Sequence, residues 1–263
     1  NARINLLHAY GWDESEFPKK WIYDFNLYLQ GITVMSRQVK KILIDNGLKI
    51  PIKVSGLGID HLQNISNVSF FKINAKKYKF LHVSSCFPRK GVDILLNAYC
   101  NQFTKDDDVT LIIKTFDNVH NNIDELVSKV RDENTFCPHI LILKQDLDDM
   151  QMNYLYSISN SLIAPSRGEG FGLPIAEAMN FGLPVITTGW GGQLDFCNSL
   201  NSFLIDYKFV ESKSHFGLDL SYWAEPSLEH LGDLMLLLFH SDESTIRKKI
   251  DLAKHTISNF QWK

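Results

Sequence analysis

Residues 158–192 read Ile158-Ser-Asn-Ser-Leu-Ile-Ala-Pro-Ser-Arg-Gly-Glu-Gly-Phe-Gly-Leu-Pro-Ile-Ala-Glu-Ala-Met-Asn-Phe-Gly-Leu-Pro-Val-Ile-Thr-Thr-Gly-Trp-Gly-Gly192. Ser161 to Ala164 is a short apolar run, the mark of a strand buried on both faces. Pro165 to Gly172 is a glycine-containing loop. Pro174 suits the first position of a helix, where its missing N–H is not needed. Ile175, Ala176, Met179 and Phe181 give that helix an apolar side, and Gly182 stops it. Leu183 to Thr187 is the next buried strand. The stretch is one strand–loop–helix–strand unit of a parallel α/β sheet.

Its helix start is equipped for ligands. Gly170 and Gly172 let the backbone approach a bound group, and the first-turn N–H groups favour an anion. Glu169 lies just before the helix and Glu177 about one turn inside it. Both are expected at the carboxyl ends of the strands, where open α/β sheets bind ligands. An ionised carboxylate there only accepts hydrogen bonds, which suits the vicinal hydroxyls of a sugar or ribose.

The same alternation extends on both sides. From Lys79 onward the pattern predicts strands at Phe80–Ser84, 109–114, 139–143 and 203–206. The predicted helices cover Lys90–Phe103, 123–131, 147–157, Ser227–Leu238 and Glu243–Phe260. Strands alternating with helices predict a doubly wound parallel sheet. In the first 60 residues the predicted elements are a strand at Ile4–His8, a helix at 19–30, a strand at Ile32–Met35, a helix capped by Ser36 and ended by Gly47, and a strand at Ile52–Val54. This part reads as the tail of a domain rather than its start. Residues 61–78 show no period and read as a linker.

Composition sets bounds on function. The chain has 263 residues, 44% of them hydrophobic, and a formal net charge of −3. A packed core is expected, with no broad electrostatic pull towards nucleic acid. No apolar run approaches the roughly 18–20 residues that span a bilayer, and no signal segment opens the sequence. The four cysteines, Cys86, Cys100, Cys137 and Cys197, lack metal-ligand spacing, so reduced thiols and no metal site are expected. Asn64-Ile-Ser and Asn67-Val-Ser fit the glycosylation acceptor pattern, which recurs by chance and carries no weight here.

Glu169-Gly-Phe-Gly-Leu-Pro-Ile-Ala-Glu177, continued by Ala178-Met179, Gly182-Leu-Pro-Val-Ile186 and Gly191-Gly192, resembles the E-x7-E motif of the retaining glycosyltransferases of family 4. Ile32-Thr-Val-Met-Ser36, Pro51-Ile-Lys-Val54 and Gly58-Ile-Asp60 resemble the last βαβ unit of that family's N-terminal domain. Pro88-Arg-Lys-Gly-Val-Asp93 is similar to its phosphate-binding segment, and Phe260-Gln-Trp262 to its Phe-x-Trp motif. The resemblance implies an α/β architecture of the glycosyltransferase B (GT-B) type, two Rossmann-like domains facing across a cleft. Residues 1–60 would then be the end of an incomplete acceptor-side domain, 61–78 the linker and 79–263 the nucleotide-sugar domain.

The resemblance also implies chemistry: transfer of a sugar from a UDP- or GDP-type donor to a glycan or lipid-linked acceptor, with retention and without metal or cofactor. The setting implied is polysaccharide or glycoconjugate synthesis in the cytoplasm, with peripheral membrane association compatible. Lys90 and Arg89 would meet the diphosphate. Glu169 would contact the sugar and Glu177 the ribose. Gly170, Phe171, Gly172 and Leu173 would form the loop whose N–H groups face the ligand, and Gly191 and Gly192 a turn beside it. Many members carry an arginine where this chain has Ser84 and Ser85, and Arg89 would replace it from the loop. Ser166 and Arg167 flank the same loop, with Arg167 a candidate phosphate or acceptor contact; Lys114 reads as a surface lysine or a nucleotide contact, and for Trp190 packing and ligand contact are both open. From the residues alone, His8, ending the first strand, is either a cleft-facing catalytic candidate or a satisfied structural histidine, and Asp13 and Glu14, in the loop after it, are either acceptor contacts or solvated acids. A nucleotide-sugar epimerase and a nucleotide-sugar-binding domain without turnover are the alternatives.

Overall fold

The computed structural model describes residues 4–62, 70–214 and 216–262. Asn64 and Asn67, and most of the first half of the expected linker, lie outside them. Three parallel strands come first, β1 (Leu6–Tyr10), β2 (Gly31–Val34) and β3 (Ile52–Val54), paired in that order. Helix α1 (Lys19–Tyr28) joins the first two and α2 (Arg37–Asp45) the last two. The Ser36 hydroxyl caps α2 by accepting a bond from the Val39 N–H, as expected from sequence. Val34, Val39, Ile42 and Leu43 form the core of this part.

A six-stranded parallel sheet follows: β4 (Tyr78–Val83), β5 (Val109–Lys114), β6 (His139–Leu143), β7 (Ser161–Ala164), β8 (Val185–Thr188) and β9 (Phe203–Ile205). Their order across the sheet is β6-β5-β4-β7-β8-β9. Counted within the sheet this is 3-2-1-4-5-6, the doubly wound Rossmann order, whose switch point falls between β4 and β7. Helices cover both faces, because successive side chains of a strand point to opposite sides. Phe80, Leu111 and Ile113 face α3 (Val92–Gln102), α4 (Ile123–Glu133) and α7 (Leu228–His240). Leu81, Ile112 and Leu162 face α5 (Asp149–Ile158), α6 (Leu173–Phe181) and α8 (Glu243–Ile257). Among the described residues no helix is long and apolar enough to cross a membrane.

Most expected elements are present, and the departures have physical reasons. The first strand starts at Leu6, and β4 starts at Tyr78 because it runs parallel to β5 from that residue. The helix expected from Lys90 begins at Val92. Residues Pro88–Lys90 form a 3-10 turn, and Gly91 at φ +67° breaks the helical path between them. The last helix ends at Ile257, so Phe260 lies beyond it, packed on Phe171 and Phe196. The sequence reading missed an antiparallel hairpin, β10 (Tyr207–Glu211) with β11 (Tyr222–Pro226).

Gly91 locks the turn against the loop after β7: a Cβ there would lie 2.1 Å from the Pro165 carbonyl oxygen. Gly91→Ala is expected to cost roughly 2 kcal/mol or more, from the left-handed backbone and the clash together. Denaturant unfolding checks this, and a loss below about half a kcal/mol contradicts the reading.

Candidate active site at the switch point

The loops that leave the carboxyl ends of β4 and β7 meet at the switch point. Lys90, in the loop after β4, sets its Nζ 2.5 Å from Glu169 Oε1 in the loop after β7. The Ser166 hydroxyl donates to the same oxygen at 2.8 Å. Burial by itself would raise the Glu169 carboxyl, but the charges of Lys90 and Arg89 and the hydrogen bonds from Lys90 and Ser166 hold it below the usual carboxylate range. Glu169 is therefore ionised inside a nearly closed site. Arg89 adds a second cation, 3.2 Å from Asp13 Oδ2 and 3.3 Å from the Gly168 carbonyl.

Asp13 and Glu14 are corrections to the reading as solvated acids. The loop after β1 folds over the loop after β7, and a Cβ on Gly168 would lie 2.3 Å from the Asp13 carbonyl oxygen. Asp13 accepts a bond from the Gly170 backbone, and burial raises its carboxyl against the pull of Arg89 and Lys90. Glu14 is buried and accepts from Ser212 at 3.0 Å and Ser221 at 2.8 Å, both on or beside the β10–β11 hairpin. Its partners lie about 200 positions away, so its burial is not legible in the local sequence.

The second glutamate has a separate environment. Glu177 Oε1 lies 3.0 Å from His61 Nε2, and the Tyr156 hydroxyl donates to Oε2 at 2.6 Å. Burial raises this carboxyl, opposed by those two partners. Tyr156 is buried, whereas the His61 side chain is 38% exposed. Glu169 and Glu177 share no partner among these bonds. They flank one helix start, each with its own set of partners.

Gly172 takes φ +88°, and α6 starts one residue earlier than read: Leu173 is its first residue and Pro174 its second. Pro174 has no N–H and the Ile175 N–H bonds the Gly172 carbonyl at 3.0 Å, which leaves the N–H groups of Gly172 and Leu173 ahead of the helical ladder. The Phe171 side chain is core, 5.1 Å from Phe196 between ring centres, so any ligand role falls to its backbone. The Gly192 N–H donates to the Glu169 carbonyl at 2.7 Å, which ties the Gly191–Gly192 turn to the site but engages that donor.

Other expected residues are placed elsewhere or given other work. Arg167 is a fork between two acids: it bonds Glu225 at 2.6 and 2.8 Å and Asp93 at 2.7 and 2.8 Å. Both ends of its guanidinium are therefore committed within the protein. Trp190 packs edge-on against Phe209, 5.7 Å between ring centres. Lys114 Nζ donates to the Thr115 carbonyl. His8 lies within β1, exposed, with Nδ1 2.7 Å from the Thr33 hydroxyl; Tyr10, not His8, ends that strand.

Beneath the site, at the end of β4, His82 is buried between the Ile163 carbonyl, 2.7 Å from Nδ1, and the Ser84 hydroxyl, 2.7 Å from Nε2. Ser84 is one of the two positions where an arginine was the family expectation, and here it serves His82 instead. No histidine, cysteine, aspartate or glutamate cluster suited to a metal occurs among the described residues.

A Rossmann-ordered sheet with cations, a buried carboxylate and a helix start at its switch point has the features with which open α/β sheets receive phosphorylated ligands. A sequence model described as "Glycosyl transferases group 1" matches residues 77–211, more than half of the chain. The protein belongs to this family, in agreement with the resemblance read from its sequence. The Escherichia coli serotype-specific mannosyltransferase WbdA is 36% identical over 107 residues, 41% of this chain and 13% of that protein. Staphylococcus aureus CapM, a capsular polysaccharide biosynthesis glycosyltransferase, is 25% identical over 197 residues, 69% of this chain and 50% of that protein. The chain thus spans half or less of these two relatives. The crystal structure of Anabaena HepE in complex with UDP and glucose is 16% identical, with a TM-score of 0.68 over 98% of this chain and 68% of that one. This likeness shows the GT-B type of fold.

Burial holds the His82 ring neutral, its pKa lowered from 6.5 to about 4 despite the Ile163 bond. The unfolded chain binds this proton below about pH 6.5, while the native one does so only near pH 4. Stability is therefore fully present above about pH 6.5 and is lost as pH falls towards 4. The His82 contribution to that loss is about 3 kcal/mol. Denaturant unfolding from pH 7 to 4.5 is expected to fall less in His82→Gln than in the parent, and parallel curves contradict the assignment.

Proposed function

We propose that the protein transfers a glycosyl group from a nucleoside diphosphate sugar to a glycan or lipid-linked acceptor, with retention at the anomeric carbon and no metal ion. The observation that carries this reading is the Lys90–Glu169 ion pair with Arg89 beside it, at the carboxyl ends of β4 and β7. In this reading residues 79–263 hold the donor and residues 1–60 belong to the acceptor side. The family membership supports a transferase, and the solved relative with UDP and glucose supports a donor of that class.

The residues divide the work by charge. When the bond from the anomeric carbon to the diphosphate breaks, negative charge grows on the departing oxygen. Lys90, Arg89 and the N–H groups at the start of α6, by Gly172 and Leu173, stabilise that charge in a site shielded from water. Each such preorganised donor is worth about 3 kcal/mol in the transition state. Before the donor arrives Lys90 is paired with Glu169 and Arg89 with Asp13. The diphosphate takes over both cations, and Glu169 turns to the sugar hydroxyls as a hydrogen-bond acceptor. Glu177 receives the ribose hydroxyls on Oε1, with His61 swinging away and Tyr156 holding Oε2 in place.

Lys90→Ala is expected to lower kcat about 100- to 1,000-fold. Glu177→Ala is expected chiefly to weaken nucleotide binding. Thermal unfolding with UDP or GDP reads the binding part: at about 100 times its dissociation constant the parent gains about 2.7 kcal/mol, and Glu177→Ala gains much less. Equal nucleotide shifts in the parent and both variants contradict this assignment.

A further inference from the structure

A cavity of about 510 Å³ is bordered by Arg89 and Asp13, while Lys90 and Glu169 are not among its lining residues. Its volume falls within the range of small-molecule sites, roughly 300–1,000 Å³. Both parts of the chain build it. The loop after β1 and α1 supply Trp12 and Trp21, and the hairpin region supplies Phe216 and Trp223. Trp12 and Trp223 are nearly buried, at 6% and 5% exposure, while Trp21 and Phe216 stand at about 40% on the rim. Trp12 lies 4.8 Å from Phe216 and 5.9 Å from Trp21 between ring centres. The Arg167 guanidinium lies over the Trp223 ring at 5.3 Å, held there by its two acids, so this wall is rigid.

The chemistry of the lining selects among occupants. No leucine, isoleucine, valine or methionine is among the described residues that line the cavity. A site for an acyl or prenyl chain would be lined by such side chains. This one offers flat aromatic faces together with a carboxylate and a guanidinium, Asp13 and Arg89, on the wall nearest the ion pairs. A pyranose has the matching surface: C–H faces that pack on rings and hydroxyl edges that need fixed polar partners.

We propose that this cavity is a saccharide subsite, in which the sugar residue of the acceptor stacks on Trp12, Trp21 and Phe216 and donates a hydroxyl hydrogen bond to Asp13. The inference rests on the donor-site reading above. Arg89 borders both places, so a diphosphate on one side of it and a sugar hydroxyl on the other are brought together. When the diphosphate draws Arg89 away, the Asp13 carboxylate is released from its ion pair and accepts from the acceptor. Donor binding thereby readies the acceptor subsite.

Saturation-transfer NMR tests this with the methyl glycosides of mannose, glucose, galactose, rhamnose and N-acetylglucosamine, measured with and without UDP and GDP. At least one glycoside is expected to bind the parent. Its signal is expected to fall at least fivefold in Phe216→Ala, Trp21→Ala and Asp13→Asn, while Phe216→Ala and Trp21→Ala keep the parent's thermal shift with nucleotide, which also shows them folded. Binding of no glycoside in the panel, or binding unchanged in all three variants, overturns the proposal. Glycoside binding that depends on these residues in a protein that binds neither nucleotide leaves the saccharide subsite standing and removes the donor reading.

Discussion

Two cations and two carboxylates sit together at the carboxyl ends of β4 and β7: Lys90 with Glu169, and Arg89 with Asp13. The Lys90 and Glu169 side chains are only 13% and 10% exposed, and charges that poorly solvated are tolerable only as a pair, since an unpartnered one costs several kcal/mol; the Arg89–Asp13 pair beside them is about a quarter exposed. The sheet order brings the two loops together, because strands far apart in sequence become neighbours at the switch point. Glycines then let the loops close: Gly91 against Pro165, Gly168 against the Asp13 backbone and Gly192 against the Gly170 carbonyl. Any side chain at these places would push the charged groups apart.

The same loops tie the two sheets to each other. Asp195, after β8, accepts from the Arg37 N–H at the start of α2. The turn at 55–60 receives the end of the chain, with the Ile59 N–H donating to the Phe260 carbonyl and the Trp262 N–H to Asp60. Glu14 reaches the hairpin through two serine hydroxyls. A carboxylate buried on such partners fixes where the hairpin lies, and the hairpin forms one wall of the cavity beside Arg89. The arrangement around the switch point is therefore held from both sides rather than by the larger sheet alone.

Much of this was legible in the sequence where the determinants are local. The run 158–192 carries a buried strand, a glycine loop, a helix start and a second strand within one short span, and all four occur, the helix one residue earlier and the second strand starting two residues later than read. Lys90 and Glu169 belong to two separate motifs 79 positions apart, and the fold brings them to 2.5 Å. What stayed hidden depends on partners distant in sequence. Arg167 resembles a ligand contact until Asp93 and Glu225, 74 and 58 positions away, claim its guanidinium. Asp13 and Glu14 look like surface acids because nothing near them in sequence marks the hairpin and the glycine loop that cover them. The hairpin itself is hard to read because β10 is largely exposed, β11 is a short Tyr222-Trp-Ala-Glu-Pro226 run broken by a glutamate, and a long connection rather than a tight turn joins them.

In the proposed reaction Lys90 and Arg89 exchange their carboxylate partners for a diphosphate. A crystal structure with a bound nucleoside diphosphate tests this exchange most directly. The phosphates are expected between Lys90, Arg89 and the start of α6, with the Arg89–Asp13 pair opened and the ribose hydroxyls on Glu177. Phosphates bound away from the switch point, with both ion pairs intact, would contradict it.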